Sequence, residues 1–269
     1  MPLSLFFAFL RRDVLSQFSY RLALVLDLLA ILSSVATFYY VGRLFGPNAS
    51  AAIERYGGDY FSFVLIGIAF SAYQGAGLRS FAQSIRQEQY LGTMEAVLAA
   101  PVSVPVFLLA SAQWDFLYAT LQAVVYVLAG ALFFGLRFPD ANLPAAATML
   151  VLTLAACMSL GMLSAAFVVR FKRGDPVALL LLTVSELLGG VFFPVAVLPD
   201  WLRRLAQLVP MTHALEGLRL TLLKGAGLSQ VYREASALGL CIVVFLPLGF
   251  WFFQRSLKAA RRDGSLGHY

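Results

Sequence analysis

The chain has 269 residues, 60% of them hydrophobic and 13% charged, with 20 Lys and Arg against 14 Asp and Glu and a net charge of +6. A soluble domain carries about 25% charged residues, and the mean hydropathy of +0.80 points away from one. These values exclude a disordered chain, a secreted disulfide scaffold and an ordinary soluble enzyme, and they leave an integral membrane protein.

The predicted elements begin with an amphipathic helix over residues 1–21. Leu3, Phe6, Phe7, Leu10, Val14 and Phe18 recur at helical spacing, while Arg11, Arg12 and Gln17 lie off that stripe. Such a helix lies on a membrane surface. It is not a secretory leader, because the apolar run before Arg11 is too short and no small-residue cleavage site follows.

Crossing a bilayer core takes about 20 apolar helical residues. Six stretches are predicted to do so: 22–41, 60–78, 110–136, 143–169, 177–198 and 235–254. The first is interrupted only by Asp27, the third by Asp115 and the fifth by Glu186, and the last contains Pro247. The third belongs to a longer run from Val104, whose first part lies at the interface or projects as a longer helix. The strict alternation of a membrane β-barrel is missing. The expected fold is therefore all-α, a single transmembrane domain over 1–269.

Two segments fit neither a span nor a solvated loop. Residues 80–103 are too polar for the bilayer, and Gly92-Thr93 interrupts them, with Pro101 and Pro105 following. Two short helices with a joint at Gly92 are predicted there, Thr93 capping a helix from Met94. Residues 199–225 follow the Gly189-Gly190 break and the Phe192-Phe193-Pro194 triplet, and they contain Pro199, Trp201 and Pro210. They are predicted to form a re-entrant helical hairpin between spans five and six, since non-helical backbone at membrane depth must be buried in protein or line a cavity.

Lys and Arg set orientation. With the N-terminus in the cytoplasm, twelve of them fall in cytoplasmic segments, and only Arg43, Arg55 and Arg137 in the short external loops. Both termini are predicted to be cytoplasmic. Five more basic residues in 200–234 dissent, and placing Arg203, Arg204 and Arg219 of the hairpin at the outer headgroups would account for them. Basic residues at span ends speak for lipid headgroups, not for nucleic acid.

No phosphate loop, no His-Glu-x-x-His pair and no Gly-x-Ser-x-Gly elbow occurs. Cys157 and Cys241 lie in apolar runs as small hydrophobes, and no metal site is expected. A carboxylate within a span is a functional candidate by default. Asp27 either pairs with Arg21 or faces water, Asp115 sits near an interface, and Glu186 either faces a path or pairs within the bundle. The aromatics Tyr39, Tyr40, Phe61, Phe70 and Tyr73 line a path or face lipid. A gradient-driven carrier using Glu186 is one function these residues allow. A lipid-acting enzyme using His213, Glu216 and Arg219 is another.

The stretch Glu88-Gln89-Tyr90-Leu91-Gly92-Thr93-Met94-Glu95, followed by Val97-Leu98 and Pro101, resembles a motif between the second and third spans of ATP-binding cassette (ABC) type-2 exporter permeases. The stretch from Gly190-Val191-Phe192-Phe193-Pro194 through Pro199-Asp200-Trp201 to Pro210-Met211-Thr212 resembles the same family's fifth-span and re-entrant region. The resemblance implies a permease that pairs with a second permease copy and with a separate nucleotide-binding ATPase. ATP and Mg would reside on that partner, with no cofactor on this chain. It implies that Glu88, Gly92, Thr93 and Glu95 couple the ATPase to the membrane helices. It also implies a path or gate at Tyr73, Gln74, Glu186, Phe192 and Phe193, with the hairpin marked by Pro194, Pro199, Trp201 and Pro210. The expected substrate is amphipathic, lipid-linked or glycan-like, and the expected location is a bacterial inner membrane.

Overall fold

The computed structural model describes residues 2–45, 51–57, 59–93, 97, 102–171 and 175–262. Ten α-helices and a short 3-10 turn, Val195–Val197, make up the regular structure of these residues. They are α1 Pro2–Ser19, α2 Arg21–Phe45, α3 Ala51–Glu54, α4 Tyr60–Tyr90 and α5 Val104–Phe134. The others are α6 Leu143–Phe171, α7 Pro176–Leu188, α8 Asp200–Ala206, α9 Pro210–Leu223 and α10 Tyr232–Arg262.

Five helices are long and apolar enough to cross a membrane: those beginning at Arg21, Tyr60, Val104, Leu143 and Tyr232. The fifth expected stretch, 177–198, is not one helix. It consists of α7, 13 residues long, and an irregular segment that starts at Gly189. At 1.5 Å per residue α7 reaches about 20 Å, short of a hydrocarbon core of about 30 Å. The run from Val104 takes the longer-helix alternative, as a single 31-residue helix, while one other expectation changes. Residues 80–90 are not a separate short helix but the last turns of α4. Their polar side chains interrupt the hydropathy without interrupting the helix, so α4 runs for about 46 Å.

α4 and α6 are the buried pair, while α2, α5 and α10 keep most of their surface outward. The two inner helices touch through small residues. A Cβ on Gly161 would lie 2.0 Å from the Gly77 carbonyl oxygen, and one on Gly77 would lie 2.4 Å from Cys157 Cβ. Backbone approach of this kind is how helices pack in lipid, where burying apolar surface brings no gain.

The core divides along the long axis. One cluster joins Phe81, Ile85, Phe107, Ala165, Phe253 and Leu257, with Phe9 of α1 packed against it. It holds together the ends of α4, α6 and α10 with the start of α5. At the opposite end Ile53, Tyr56, Phe63 and Val64 cluster with Phe38 and Leu223. The middle is filled by Ile66, Tyr73, Met149, Ala156, Met211 and Leu215 and their neighbours.

Candidate functional site

α4 has a built cap at each end. Asp59 opens it, accepting from the backbone N–H of Phe61 at 3.2 Å and of Ser62 at 3.0 Å. At the far end Gly92 turns left-handed with φ of 69°. Its N–H reaches the Gln89 carbonyl at 3.2 Å, and the Thr93 N–H reaches that of Glu88 at 2.9 Å. These two bonds are the Schellman closure of a helix, which needs a residue free of the Cβ penalty at this position. The Thr93 hydroxyl also donates to the Glu88 carboxylate, and the Val97 N–H returns to the Thr93 carbonyl at 3.0 Å. The Glu-x-x-x-Gly-Thr spacing is thus a helix stop in which carboxylate, glycine and hydroxyl each have a part. Glu95 lies outside the described residues.

α1 is fastened to this stop. Glu88 is buried, and the Arg12 guanidinium stands 3.9 Å from its carboxylate. The same guanidinium lies 4.6 Å over the Phe9 ring, and Phe9 meets Phe107 of α5 edge-on at 5.8 Å. Gln113 of α5 donates to the Phe6 carbonyl. Between α1, α4 and α5 lies a polar cavity of about 180 Å³, lined by Arg12, Asp13, Gln83, Gln87, Glu88 and Asp115 among others. Nearby, Asp175 caps α7 through the Ala178 N–H at 2.9 Å and accepts from the Ser164 hydroxyl of α6.

The opposite end holds a second polar knot, and sequence reasoning misplaced its centre. Arg219 is not at the headgroups. It is 2% exposed, with Nε donating to the Phe63 carbonyl at 3.1 Å and Nη2 to the Val191 carbonyl at 3.2 Å. Its guanidinium sits 3.5 Å above the Phe63 ring. Val191 belongs to the segment freed from α7 by Gly190, whose φ is 77°. The arginine therefore supplies a donor for a carbonyl that the broken helix leaves open, and it ties that break to α4. Room for it comes from Gly67, where a Cβ would lie 2.8 Å from Arg219 Nη2. Burial lowers the arginine pKa to about 9, against the pull of Tyr56 and Glu216 in the other direction, so the side chain stays charged at neutral pH. The signal was legible in part: Met211, Leu215 and Arg219 follow at i+4 on one helix face.

Beside it the Tyr56 hydroxyl donates to Glu216, and Arg55 pairs with Glu216 at 3.0 Å. His213 is not aimed at a substrate; its Nε2 is bound to the Gln207 carbonyl at 2.9 Å. Thr212 donates to the Ala206 carbonyl at 2.7 Å. Both side chains join α9 to the end of α8. Arg203 closes the preceding turn by donating to the Ala196 and Leu198 carbonyls at 2.8 and 3.1 Å. Arg204 is exposed. His213, Glu216 and Arg219 thus hold the fold together.

The five path residues do not share one surface. Tyr73 and Gln74 are buried in the chain's own core, Tyr73 stacked on Phe70 at 5.7 Å. Glu186 is exposed, on the outer face of α7 with Leu179, Leu180, Thr183 and Leu187. Phe192 continues that face and stacks on Phe38 of α2 at 5.8 Å, while Phe193 is half-buried. Of the hairpin residues, Pro194 is buried, Pro210 half-buried, and Pro199 and Trp201 exposed. Asp27 accepts from the Tyr118 hydroxyl of α5 at 2.5 Å. No group of three metal-ligating side chains occurs among the described residues.

Five helices long and apolar enough to cross a membrane, with a polar knot at each end of the bundle, are the frame of an integral membrane protein. The model of the ABC-2 type transporter family matches residues 4–223, and the chain belongs to that family. It is similar to nodulation protein J of Sinorhizobium fredii, 28% identical over 216 residues that cover 79% of this chain and 80% of that protein. The resemblance drawn from Glu88–Pro101 and Gly190–Thr212 is borne out. The protein is a membrane permease, a transport subunit of the ABC-2 type.

Proposed function

We propose that the chain is half of a permease dimer that exports an amphipathic, lipid-linked or glycan-type substrate by alternating access, driven by a separate ATPase that binds ATP and Mg. The observation that carries this is the continuity of α4. One rigid helix joins the capped end at Glu88–Thr93 to the Arg219 knot beside the broken α7. A push on the first is felt at the second without a hinge between them.

In this reading Glu88, Gly92, Thr93 and Glu95 meet the ATPase at the cytoplasmic surface, and α1 lies in the same interface. Both termini face the cytoplasm of a bacterial inner membrane. α7 enters the bilayer as a short sixth span, and α8 and α9 return as the re-entrant hairpin that closes the outer end. The path runs along the dimer centre, on the α7 face that carries Thr183, Glu186 and Phe192. Tyr73 and Gln74 support that wall from within and do not touch the substrate.

The test is purification from native membrane in mild detergent, with mass spectrometry of what comes along. An ATPase subunit bearing a phosphate loop, in equal amount and active in the complex, is the expected result. A chain that emerges alone after gentle cross-linking would sink the proposal and bring forward a gradient-driven carrier dependent on Glu186.

A further inference from the structure

At the end of the molecule that carries α1, a groove opens between the last turns of α6 and of α10. Its volume is about 580 Å³, the size of a small-molecule site. Its floor is apolar: Leu163, Ala166, Phe167 and Phe171 from α6, Val177 from α7 and Phe252 from α10. Arg170 and Arg255 stand at its rim. A second hollow of about 750 Å³ adjoins it through the same two arginines and adds Lys258 and Arg262.

The charge is one-sided. Four cations border these two hollows, and no Asp or Glu lines either among the described residues. The nearby Asp175 is engaged by the Ser164 hydroxyl and the Ala178 N–H. Arg255 is held in place, its guanidinium 4.9 Å over the Trp251 ring. Trp251 is 51% exposed, the placement of an aromatic residue at headgroup level. Apart from Val177, the apolar floor belongs to helices of spanning length, and the cations come at their ends. That gradient, apolar at depth and basic at the surface, is the shape of a phospholipid with a negative headgroup. A protein surface would have to bring an acidic rim and a finger of apolar side chains to the same depth.

We propose that the groove between α6 and α10 is a resident site for an anionic diacyl phospholipid of the surrounding bilayer. Arg255 and Lys258 hold its phosphate, and an acyl chain lies along Phe167, Val177 and Phe252. The site is separate from the α4 stop and from the α7 face, and it does not depend on which substrate is moved or in which direction.

The full chain, with the subunits that co-purify, is reconstituted into vesicles of equal parts phosphatidylglycerol and phosphatidylcholine. It is then re-extracted, and retained lipid is counted by native mass spectrometry. Phosphatidylglycerol should be retained over phosphatidylcholine by roughly tenfold or more, since each basic residue near a charged headgroup contributes about 1 kcal/mol and about 1.4 kcal/mol is tenfold. The double substitution Arg255→Gln, Lys258→Gln should remove that preference. Ser256→Trp, which fills the groove and leaves its charge, should lower retention of both lipids. Equal retention of the two lipids by the unaltered protein would overturn the proposal, whether or not the variants fold. So would an undiminished preference in the Arg255→Gln, Lys258→Gln variant. A photo-reactive side chain placed at Phe252 should capture lipid; capture of a second copy or of another subunit would put protein in the groove instead.

Discussion

Arg219 is the residue on which the end of the molecule opposite α1 turns. A buried cation is tolerated where its donors are used, and here two go to main-chain carbonyls and the ring of Phe63 covers a face. Replacing it with methionine keeps much of the volume and leaves the Val191 carbonyl without a partner. Arg219→Met should destabilise the protein by about 2–4 kcal/mol, read as a lower unfolding temperature in detergent. An unchanged unfolding temperature would mean that the guanidinium is not what holds the break to α4. Tyr56 offers a pH test at the same knot. Burial first, and then the Glu216 carboxylate, raise its pKa above the ordinary value, which is about 10. A raised pKa means that the contribution of the neutral phenol is complete below about pH 10 and fades only as pH climbs beyond. Tyr56→Phe should therefore cost about 1.5–3 kcal/mol, and the difference should be flat from about pH 6 to 9. A difference that grows or vanishes inside that window would show another group titrating there. Only the i+4 spacing of Met211, Leu215 and Arg219 hinted at this in the residues alone. An arginine nine positions past Pro210 looks like a surface charge until the fold shows which carbonyls the Gly189-Gly190 break has opened.

At the scale of the element, the end of α4 shapes the surface proposed to receive the ATPase. Gly92 is the residue that lets the chain turn out of the helix with its last carbonyls paired. An alanine there must adopt φ near 69°, at a penalty of about 1–2 kcal/mol. Gly92→Ala should leave the membrane helices in place and loosen the stop. Amide exchange at Gly92 and Thr93 should accelerate roughly tenfold, and substrate transport should fall while the complex still assembles. Thr93→Val, which removes the hydroxyl that the Glu88 carboxylate accepts, should act in the same direction and more weakly. Unaltered exchange and transport in both would separate the cap from coupling. Sequence reasoning placed the break at Gly92, where α4 does stop, because a glycine followed by a threonine carries its backbone chemistry locally. It failed to see that residues 80–90 belong to α4. Gln83, Gln87 and Gln89 end the hydropathy of the span, yet each is a good helix former, and buried Phe81, Ile85 and Glu88 on one face keep the helix packed. The spans themselves were legible for the same kind of reason, since about 20 apolar residues with one charge leave the chain few choices. The fifth was legible only as a hydrophobic stretch. Its length in helix depends on Gly189 and Gly190, which hydropathy averages away.

For the whole molecule, the question is which outward faces meet lipid and which meet protein. The outer face of α10 presents Leu240, Val243, Val244, Leu248 and Phe252 with no polar interruption, and lipid satisfies it. The outer face of α7 is different. Leu179, Leu180 and Leu187 are exposed there, and Thr183 and Glu186 stand among them, also exposed. A carboxylate turned toward hydrocarbon near the bilayer centre costs about 2.5–3.5 kcal/mol on insertion scales. The permease dimer proposed above would cover this face with a second copy related by a two-fold axis and a water-filled path between them. A cysteine at Thr183 should then cross-link to the same position of the partner on mild oxidation, giving a disulfide-linked dimer that reductant reverses. A cysteine at Val243, 71% exposed on α10, should remain monomeric under the same conditions. Cross-linking at Val243 and none at Thr183 would assign the faces the other way round and place Glu186 outside the path. If Thr183 does cross-link, Glu186→Gln becomes informative in turn, because the carboxylates of the two copies then approach one another across the axis. Neutralising them relieves like-charge repulsion between the copies. It should strengthen the dimer while changing transport, which distinguishes a path-lining charge from one that merely holds the copies apart.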